Sequence, residues 1–128
     1  MKKYIGILLL VIFWSGNAHS SWVKIAIGTD VTLYYHPESI IDKQKIKLVW
    51  ALIDQKEKVE GLDSFSSKVQ LAVDCINQKY KREMSVFYQK NMGKGKIVGE
   101  TSDSTKLGGW KSAIPDSVTY PLVKKVCE

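Results

Sequence analysis

The stretch NMGKGKIVGE at residues 91–100 contains the residue types from which phosphate-binding loops are built. Two glycines, Gly93 and Gly95, alternate with lysines ahead of an apolar pair. A Walker-type loop needs G-x-x-x-x-G-K-S/T, in which the hydroxyl holds the metal ion and the following helix points its amides at phosphate. Here Ile97 follows the second lysine, and both flanks alternate as strands do. We therefore predict a hairpin turn in which the two glycines adopt positive φ.

The groups needed for nucleophilic catalysis are mostly missing after residue 20. That part of the chain has one histidine, His36, and no G-x-S-x-G sequence. Catalysis of this kind needs a nucleophile, a base and a group that orients the base. Three carboxylates, Asp54, Asp74 and Glu83, could meet in space, although a strand-end residue such as Asp54 is more often a turn former. The sequence predicts a protein that is not an enzyme and has no cofactor.

His36 is the one candidate for a ligand to haem iron or another metal, because it follows Tyr34 and Tyr35 directly. The ordinary interpretation is a residue that ends a strand ahead of Pro37. Both interpretations stay open at this stage, and these three side chains are the ligand candidates.

The two cysteines, Cys75 and Cys127, both follow residue 20. In an oxidising compartment an even number of cysteines most simply indicates one disulfide. A metal pair or a redox pair is the alternative, but CxxC spacing is missing and a dithiol metal site would need nearby histidines. We predict a structural Cys75–Cys127 bridge.

Residues 1–20 have the features of a cleaved signal peptide. Lys2 and Lys3 precede an apolar run from Ile5 to Trp14, and Ala18 to Ser20 offers small residues at the two positions that a signal peptidase reads. A run of about ten apolar residues is well short of the roughly 20 needed to span a bilayer. We therefore expect no membrane span. Since no cysteine lies near the cleavage site, we also expect no bacterial lipid anchor.

The remaining 108 residues, 21–128, fit one compact domain. They carry 17 basic and 13 acidic residues, a net charge of +4. This mild excess, together with export, argues against a nucleic-acid partner. It favours acidic partners such as an extracellular protein, a sulfated glycan or lipopolysaccharide.

Period-two alternation dominates residues 21–128 and predicts about six strands in an antiparallel sheet. A central strand, KIKLVWALID, is apolar on both sides, which indicates that it is covered on both faces. The alternation places the following side chains together: Val23, Ile25 and Ile27; Val31, Leu33 and Tyr35; Val69, Leu71, Val73 and Cys75; and Tyr80, Arg82, Met84, Val86 and Tyr88.

The period changes in the last stretch, IPDSVTYPLVKKVCE. Apolar residues at spacings of four predict a helix that begins near Thr119 or Tyr120, with Pro121 in its first turn and Ser117 or Thr119 as cap. Cys127 lies on its apolar side, so the bridge would clamp the helix onto one face of the sheet. The expected fold class is α+β.

Two tryptophans and a group of basic residues are the candidates for a surface. Trp50 is predicted to lie in the core, and Trp110, which follows two glycines, is a candidate for an exposed contact. Basic side chains on one hairpin either form a solvated face with edge-protecting lysines or a contact patch for an acidic partner. The partner-binding candidates are Lys79, Lys81, Arg82, Lys90, Lys94, Lys96 and Trp110.

The chain resembles the surface-adhesin protein E domain family of Gram-negative bacteria from about Trp22 to Cys127. The resemblance rests on the order of four pieces and on the placement of the cysteines: TLYYHPESI, IKLVWALID, KVQLAVDCINQKYKREMSVFYQKNMGKGKIV and IPDSVTYPLVKKVC.

The resemblance implies a multi-stranded antiparallel sheet, a helix held on its concave face by the disulfide, and self-association of some members, so a homodimer is one expected state. It also implies a non-enzymatic, adhesin-like module that recognises a host matrix protein, a glycan or an envelope component. The alternative is a periplasmic carrier that holds a small apolar or haem-like ligand between sheet and helix. The expected location is the periplasm, the medium or the cell surface.

Overall fold

A computed structural model describes residues 21–128, which form one antiparallel sheet with a helix on one face. The predicted signal peptide, residues 1–20, lies outside the described residues. The elements are β1 (Val23–Ile27), β2 (Val31–Tyr35), β3 (Ile41–Lys43), β4 (Ile46–Gln55), β5 (Ser66–Asp74), β6 (Lys79–Tyr88), β7 (Ile97–Thr101), α1 (Ser104–Leu107), β8 (Lys111–Ser112) and α2 (Thr119–Val126), with 3-10 turns at Pro37–Ser39 and Asn91–Gly93.

The sheet has eight strands, not about six. Six of them are neighbours in the order β1-β2-β4-β5-β6-β7, while β3 pairs with β4 and β8 pairs with β6 beside this path. The two additional strands are short and share positions with others. β3 pairs with the first residues of β4 while β2 pairs with its last ones, and β8 and β7 divide β6 in the same way. The turn at Pro37–Ser39 separates β2 from β3, since proline supplies no N–H to a ladder. Alternation alone cannot detect a strand as short as β3 or β8.

The hydrophobic core lies between the sheet and α2. From the helix, Leu122, Val123 and Val126 are buried, and Pro121 is in the first turn as predicted. The helix begins at Thr119, but its N-cap is Val118 without a side-chain cap, because the Ser117 hydroxyl donates to Ile114 O instead. The sheet contributes Leu33, Tyr35, Val49, Ala51, Val69, Leu71 and Val73 to the same core.

The predicted disulfide is present and joins the end of β5 to the end of α2. The Cys75 and Cys127 sulfurs are 2.03 Å apart, and the Cα atoms are 5.5 Å apart. A second tie lies nearby, since Lys47 Nζ donates to the Val126 carbonyl at 3.1 Å. The bridge therefore clamps the helix onto the sheet, as the sequence indicates.

β-Bulges in β6 and in β1 change which of the predicted side chains share a face, because residues opposite each other in an antiparallel pair lie on the same face. In β6, Met84 lies opposite Gln70, but Arg82 lies opposite Leu71, so Glu83 is the additional residue. Arg82 therefore faces α2, whereas Met84 faces the other way. The strict alternation predicted for β6 is wrong at this position, because a bulge advances the register by one residue.

The bulge in β1 has the same effect. Val23 lies opposite Tyr35 and Ala26 opposite Leu33, so Ile25 is the additional residue. Val23 and Ile27 then lie on opposite faces, and Ile27 is 70% exposed. The prediction that Val23, Ile25 and Ile27 share a face is wrong.

Removal of the bridge tests how far the fold depends on it. A Cys75→Ala/Cys127→Ala variant should lose about 4 kcal/mol of unfolding free energy, because the bridge closes a loop of 52 residues in the unfolded chain. Urea denaturation followed by far-UV circular dichroism measures the loss. Wild-type protein under reducing conditions is the control and should show the same midpoint, while a loss below about 1 kcal/mol would contradict the assigned role.

Candidate binding surface

The sheet face opposite α2 carries an open cleft of about 290 Å³. The pairing register of the strands determines which side chains lie on this face. Leu52, Lys68 and Val86 are side by side on β4, β5 and β6, and none of them belongs to the core under the helix. We call this site the aromatic cleft, and its lining residues are Trp22, His36, Ser39, Trp50, Lys68, Val86 and Tyr88. Trp50, predicted to lie in the core, is half-buried in this cleft.

Lys68 supplies the charge of the aromatic cleft. Its Nζ lies 4.9 Å from the centroid of the Tyr88 ring and 5.8 Å from that of Trp22. Both distances are within the range of cation–π attraction, which holds the ammonium group among the rings. Among residues 21–128, Lys68 forms no ion pair with a carboxylate. The cleft thus presents an ammonium group that forms no direct ion pair with a carboxylate of the described residues.

Hydrogen bonds from His36 and Ser39 fix one wall of the cleft. The His36 N–H donates to the Trp50 carbonyl at 3.0 Å. The Ser39 hydroxyl donates to His36 O at 2.7 Å and accepts from the Trp50 N–H at 2.9 Å. Trp22 packs against the His36 ring edge-on, with the centroids 5.3 Å apart. His36 Nδ1 is buried and has no partner among the described residues.

Residues 89–96, which we call the glycine loop, lie beside the aromatic cleft and approach Lys68. As predicted, this segment joins two strands as a hairpin, and Gly93 and Gly95 have positive φ. It also folds back over the sheet, a feature that its turn residues do not reveal. The Asp54 carboxylate accepts from Asn91 Nδ2 at 3.0 Å and from the Met92 N–H at 2.8 Å. Ser66 Oγ accepts from the Gly93 N–H at 2.8 Å.

Gly93 connects the glycine loop to Lys68. A Cβ atom added to Gly93 would lie 2.8 Å from Lys68 Cε and 3.6 Å from Leu52 Cδ1. Its φ of 68° is a left-handed conformation that side-chain-bearing residues rarely adopt. A side chain at position 93 would therefore strain the backbone and press on the Lys68 stem, whereas glycine lets the loop lie directly against that stem.

One acidic side chain near the glycine loop, Asp63, is paired with its neighbours. Asp63 accepts from Gln89 Nε2 at 3.1 Å and forms an ion pair with Lys58 at 3.1 Å. These contacts, first the Gln89 hydrogen bond and then Lys58, lower the pKa of Asp63. Asp63 is therefore ionised throughout the pH range in which an acidic partner is itself ionised and could bind the lysines of the loop.

The basic residues selected from the sequence fall into separate groups. Lys90, Lys94 and Lys96 are exposed on the glycine loop. Lys79 and Lys81 lie at the other end of β6, about 30 Å away at 3.3 Å per residue. They do not form one stripe with the loop lysines.

Arg82 lies on the α2 face, away from both lysine groups. Lys81 is next to it in sequence but on the other face, where its Nζ lies 5.1 Å from the Trp110 ring and 3.3 Å from Glu83. Trp110 is 44% exposed.

The three ligand candidates next to Pro37 do not come together either. Tyr35 is 5% exposed in the core under α2, and Tyr34 points to the opposite face. His36 lines the aromatic cleft, so it is separated by the sheet from the space next to the helix. That space is a cavity of about 280 Å³ at the start of α2, lined by Arg82 and by core residues.

The carboxylates considered for acid–base chemistry are also apart. Asp54 lies opposite Ser66 at one end of β5, and Asp74 ends the same strand about 26 Å away. The pKa of Asp74 is lowered, chiefly because the Asn77 side chain donates to it, which marks a turn rather than a catalytic pair.

Within residues 21–128, His, Cys, Asp and Glu side chains form no group of three that could hold a metal ion. The described residues also contain no helix with the length and apolarity to cross a membrane.

These features define a small disulfide-bonded domain with an antiparallel sheet, one covered face and one face that carries a cationic aromatic cleft. The chain matches the surface-adhesin protein E family over residues 22–128 and belongs to that family. The family is one of surface adhesins and not of enzymes, as the sequence predicts.

Solved structures of Haemophilus influenzae protein E have the same fold. Its crystal form II superposes with a TM-score of 0.63 at 17% identity, over 87% of this chain and 90% of that one. Protein E from non-typeable Haemophilus influenzae gives 0.56 at 18% identity, over 87% of this chain and 78% of that one. The comparison with curated proteins found no match.

Sequence reasoning missed Lys68, Trp22 and Tyr88 as members of a site. The three residues are far apart in sequence and meet only through the pairing of β1, β2, β4, β5 and β6. One signal was available, since Lys68 interrupts the serines and apolar residues that begin β5.

Gly93→Ala tests whether the glycine loop positions Lys68. The new Cβ should displace the Lys68 stem, so the NMR signals of the Trp22 and Tyr88 rings should shift. Gly61→Ala is the matched control, because Gly61 also has a positive φ, 79°, but nothing lies within 4 Å of an added Cβ. Both variants should lose about 1–2 kcal/mol from the left-handed backbone. Unchanged ring signals in Gly93→Ala would show that the loop does not position Lys68.

Proposed function

We propose that this chain is an exported binding module that recognises a macromolecular partner through the sheet face opposite α2. The observation that carries the proposal is the aromatic cleft, in which Lys68 lies among aromatic rings without a carboxylate partner. The cleft adjoins the glycine loop, whose Lys90, Lys94 and Lys96 are exposed. Membership of a surface-adhesin family agrees with this role.

The composition of the surface supports a macromolecular partner. Tryptophan and tyrosine are enriched among the residues that dominate the energy of protein interfaces. Unpaired cations beside them favour an acidic partner, because complementary charge steers association. The net charge of +4 over residues 21–128 has the same sign. An extracellular matrix protein, an acidic glycan or an envelope component meets these requirements.

The carrier hypothesis is less well supported. The cavity next to α2 has about 280 Å³, at the lower limit of the roughly 300–1,000 Å³ of small-molecule sites. His36, the proposed haem ligand, is on the other side of the sheet. A small-molecule site there would lack the histidine on which the hypothesis depends.

The signal peptide predicted for residues 1–20 implies that the protein is exported. The mature protein would then reside in the periplasm, in the medium or on the cell surface. Cell fractionation followed by immunoblotting distinguishes these locations, and an adhesin role requires the outside fraction.

The loop lysines provide the test of the proposed function. Surface plasmon resonance with immobilised matrix proteins, heparin and lipopolysaccharide should show binding that Lys90→Gln/Lys94→Gln/Lys96→Gln weakens about tenfold at low salt. Three exposed ion pairs of about 0.2–1 kcal/mol each account for that loss. Raising the ionic strength should weaken wild-type binding in the same way.

A control variant separates local charge from total charge. The variant Lys45→Gln/Lys124→Gln/Lys125→Gln also removes three positive charges, but from exposed positions away from the cleft. It should bind nearly as tightly as the wild type. Equal losses in both variants would show that the loop lysines have no specific role in binding. Absence of binding to every immobilised partner would contradict the proposed function.

A further inference from the structure

We propose that the aromatic cleft binds an acidic peptide segment of a protein partner. One apolar or aromatic side chain of that segment would lie between the rings, and a neighbouring carboxylate would contact the Lys68 ammonium. The inference rests on the proposed function, since it specifies the chemistry of the partner.

The charge of the ligand follows from Lys68. Its Nζ lies 4.9 Å and 5.8 Å from two ring centroids, so aromatic surface replaces part of its water shell. A ligand carboxylate that reaches this amine forms a charge-assisted hydrogen bond, and such bonds are about twice as strong as neutral ones. A cationic ligand would instead meet a like charge at the same place.

The size and polarity of the cleft favour one side chain over a whole small molecule or a sugar. Its volume of about 290 Å³ is open to solvent and at the lower limit for a small-molecule site. The Ser39 hydroxyl already donates one hydrogen bond and accepts another. A saccharide needs partners for several hydroxyl groups, whereas an apolar side chain needs only the surfaces of Trp22, Trp50 and Val86.

The surroundings of the cleft indicate more than one acidic residue in the segment. At Gly93 the glycine loop lies against the Lys68 stem, and exposed Lys90 and Lys94 lie on either side of Gly93 in the same loop. A peptide anchored at Lys68 can therefore present further carboxylates to these lysines. This arrangement explains why the loop lysines and the cleft would act on one partner.

NMR titration of the purified protein with short capped peptides tests the inference. The tripeptide Asp-Phe-Glu should shift the ring signals of Trp22, Trp50 and Tyr88 in a saturable way. Lys-Phe-Lys, with reversed charge, and Asp-Gly-Glu, without the anchor, should bind at least tenfold more weakly. Lys68→Met keeps an apolar stem of similar length and should weaken Asp-Phe-Glu at least tenfold, because a hydrogen bond to a charged group is lost. Lys45→Met is the matched control and should not change the affinity.

Several outcomes would overturn the inference. They are equal binding of the two charged peptides, full affinity in Lys68→Met, or saturable shifts with a glucuronic-acid disaccharide or decanoate while the peptides stay silent. The comparison of charged peptides uses the wild-type protein alone, so it decides the matter even where a variant does not fold. If matrix proteins bind while no peptide enters the cleft, the inference fails and the proposed function stands. If the acidic peptide enters the cleft but no extracellular protein binds, the adhesin role fails instead.

Discussion

The bond between Cys75 and Cys127 fastens a helix that has little stability of its own. α2 has eight residues, and isolated helices shorter than about 12–15 residues are marginal in water. Its stability in the domain comes from burial of Leu122, Val123 and Val126 against the sheet. The disulfide and the Lys47–Val126 hydrogen bond hold the same end of the helix in place, so the burial does not depend on helix propensity.

Because α2 is short, it covers only one face of the sheet, and this determines where a binding surface can lie. In β4, Val49 and Ala51 are buried beneath α2, while Trp50 between them points to the other face. The same alternation in β5 buries Val69 and exposes part of Lys68. The strands that build the core therefore also build the aromatic cleft, and a substitution on one face is expected to affect the other only through the backbone.

The sequence predicts the features that depend on neighbouring residues or on covalent chemistry. The start of α2 near Thr119 follows from its period and from Pro121, and the disulfide follows from the number of cysteines and the predicted compartment. The sequence could not predict that Arg82 and Met84 lie on opposite faces of β6. The bulge at Glu83, which places them there, has no residue signature in the sequence.

The cleft could not be predicted because its members are brought together by strand order. Trp22 and Lys68 meet across β1, β2, β4 and β5. Each residue alone has an ordinary explanation: a tryptophan in a core, or a lysine on a solvated strand. Only the pairing register of the strands brings these side chains together on one surface.

The glycine loop decides how much of the second face remains open. Leu52 lies on that face and is fully buried, and the loop at Gly93 is among the groups that cover it. Asp54 and Ser66, directly opposite each other in β4 and β5, hold the loop in this position. Since no residue of the loop lines the cleft, Trp50 and Lys68 stay partly accessible. The residues that resemble a phosphate-binding loop thus have a structural role: they close one part of an apolar sheet face and define the edge of the part that is left for a partner.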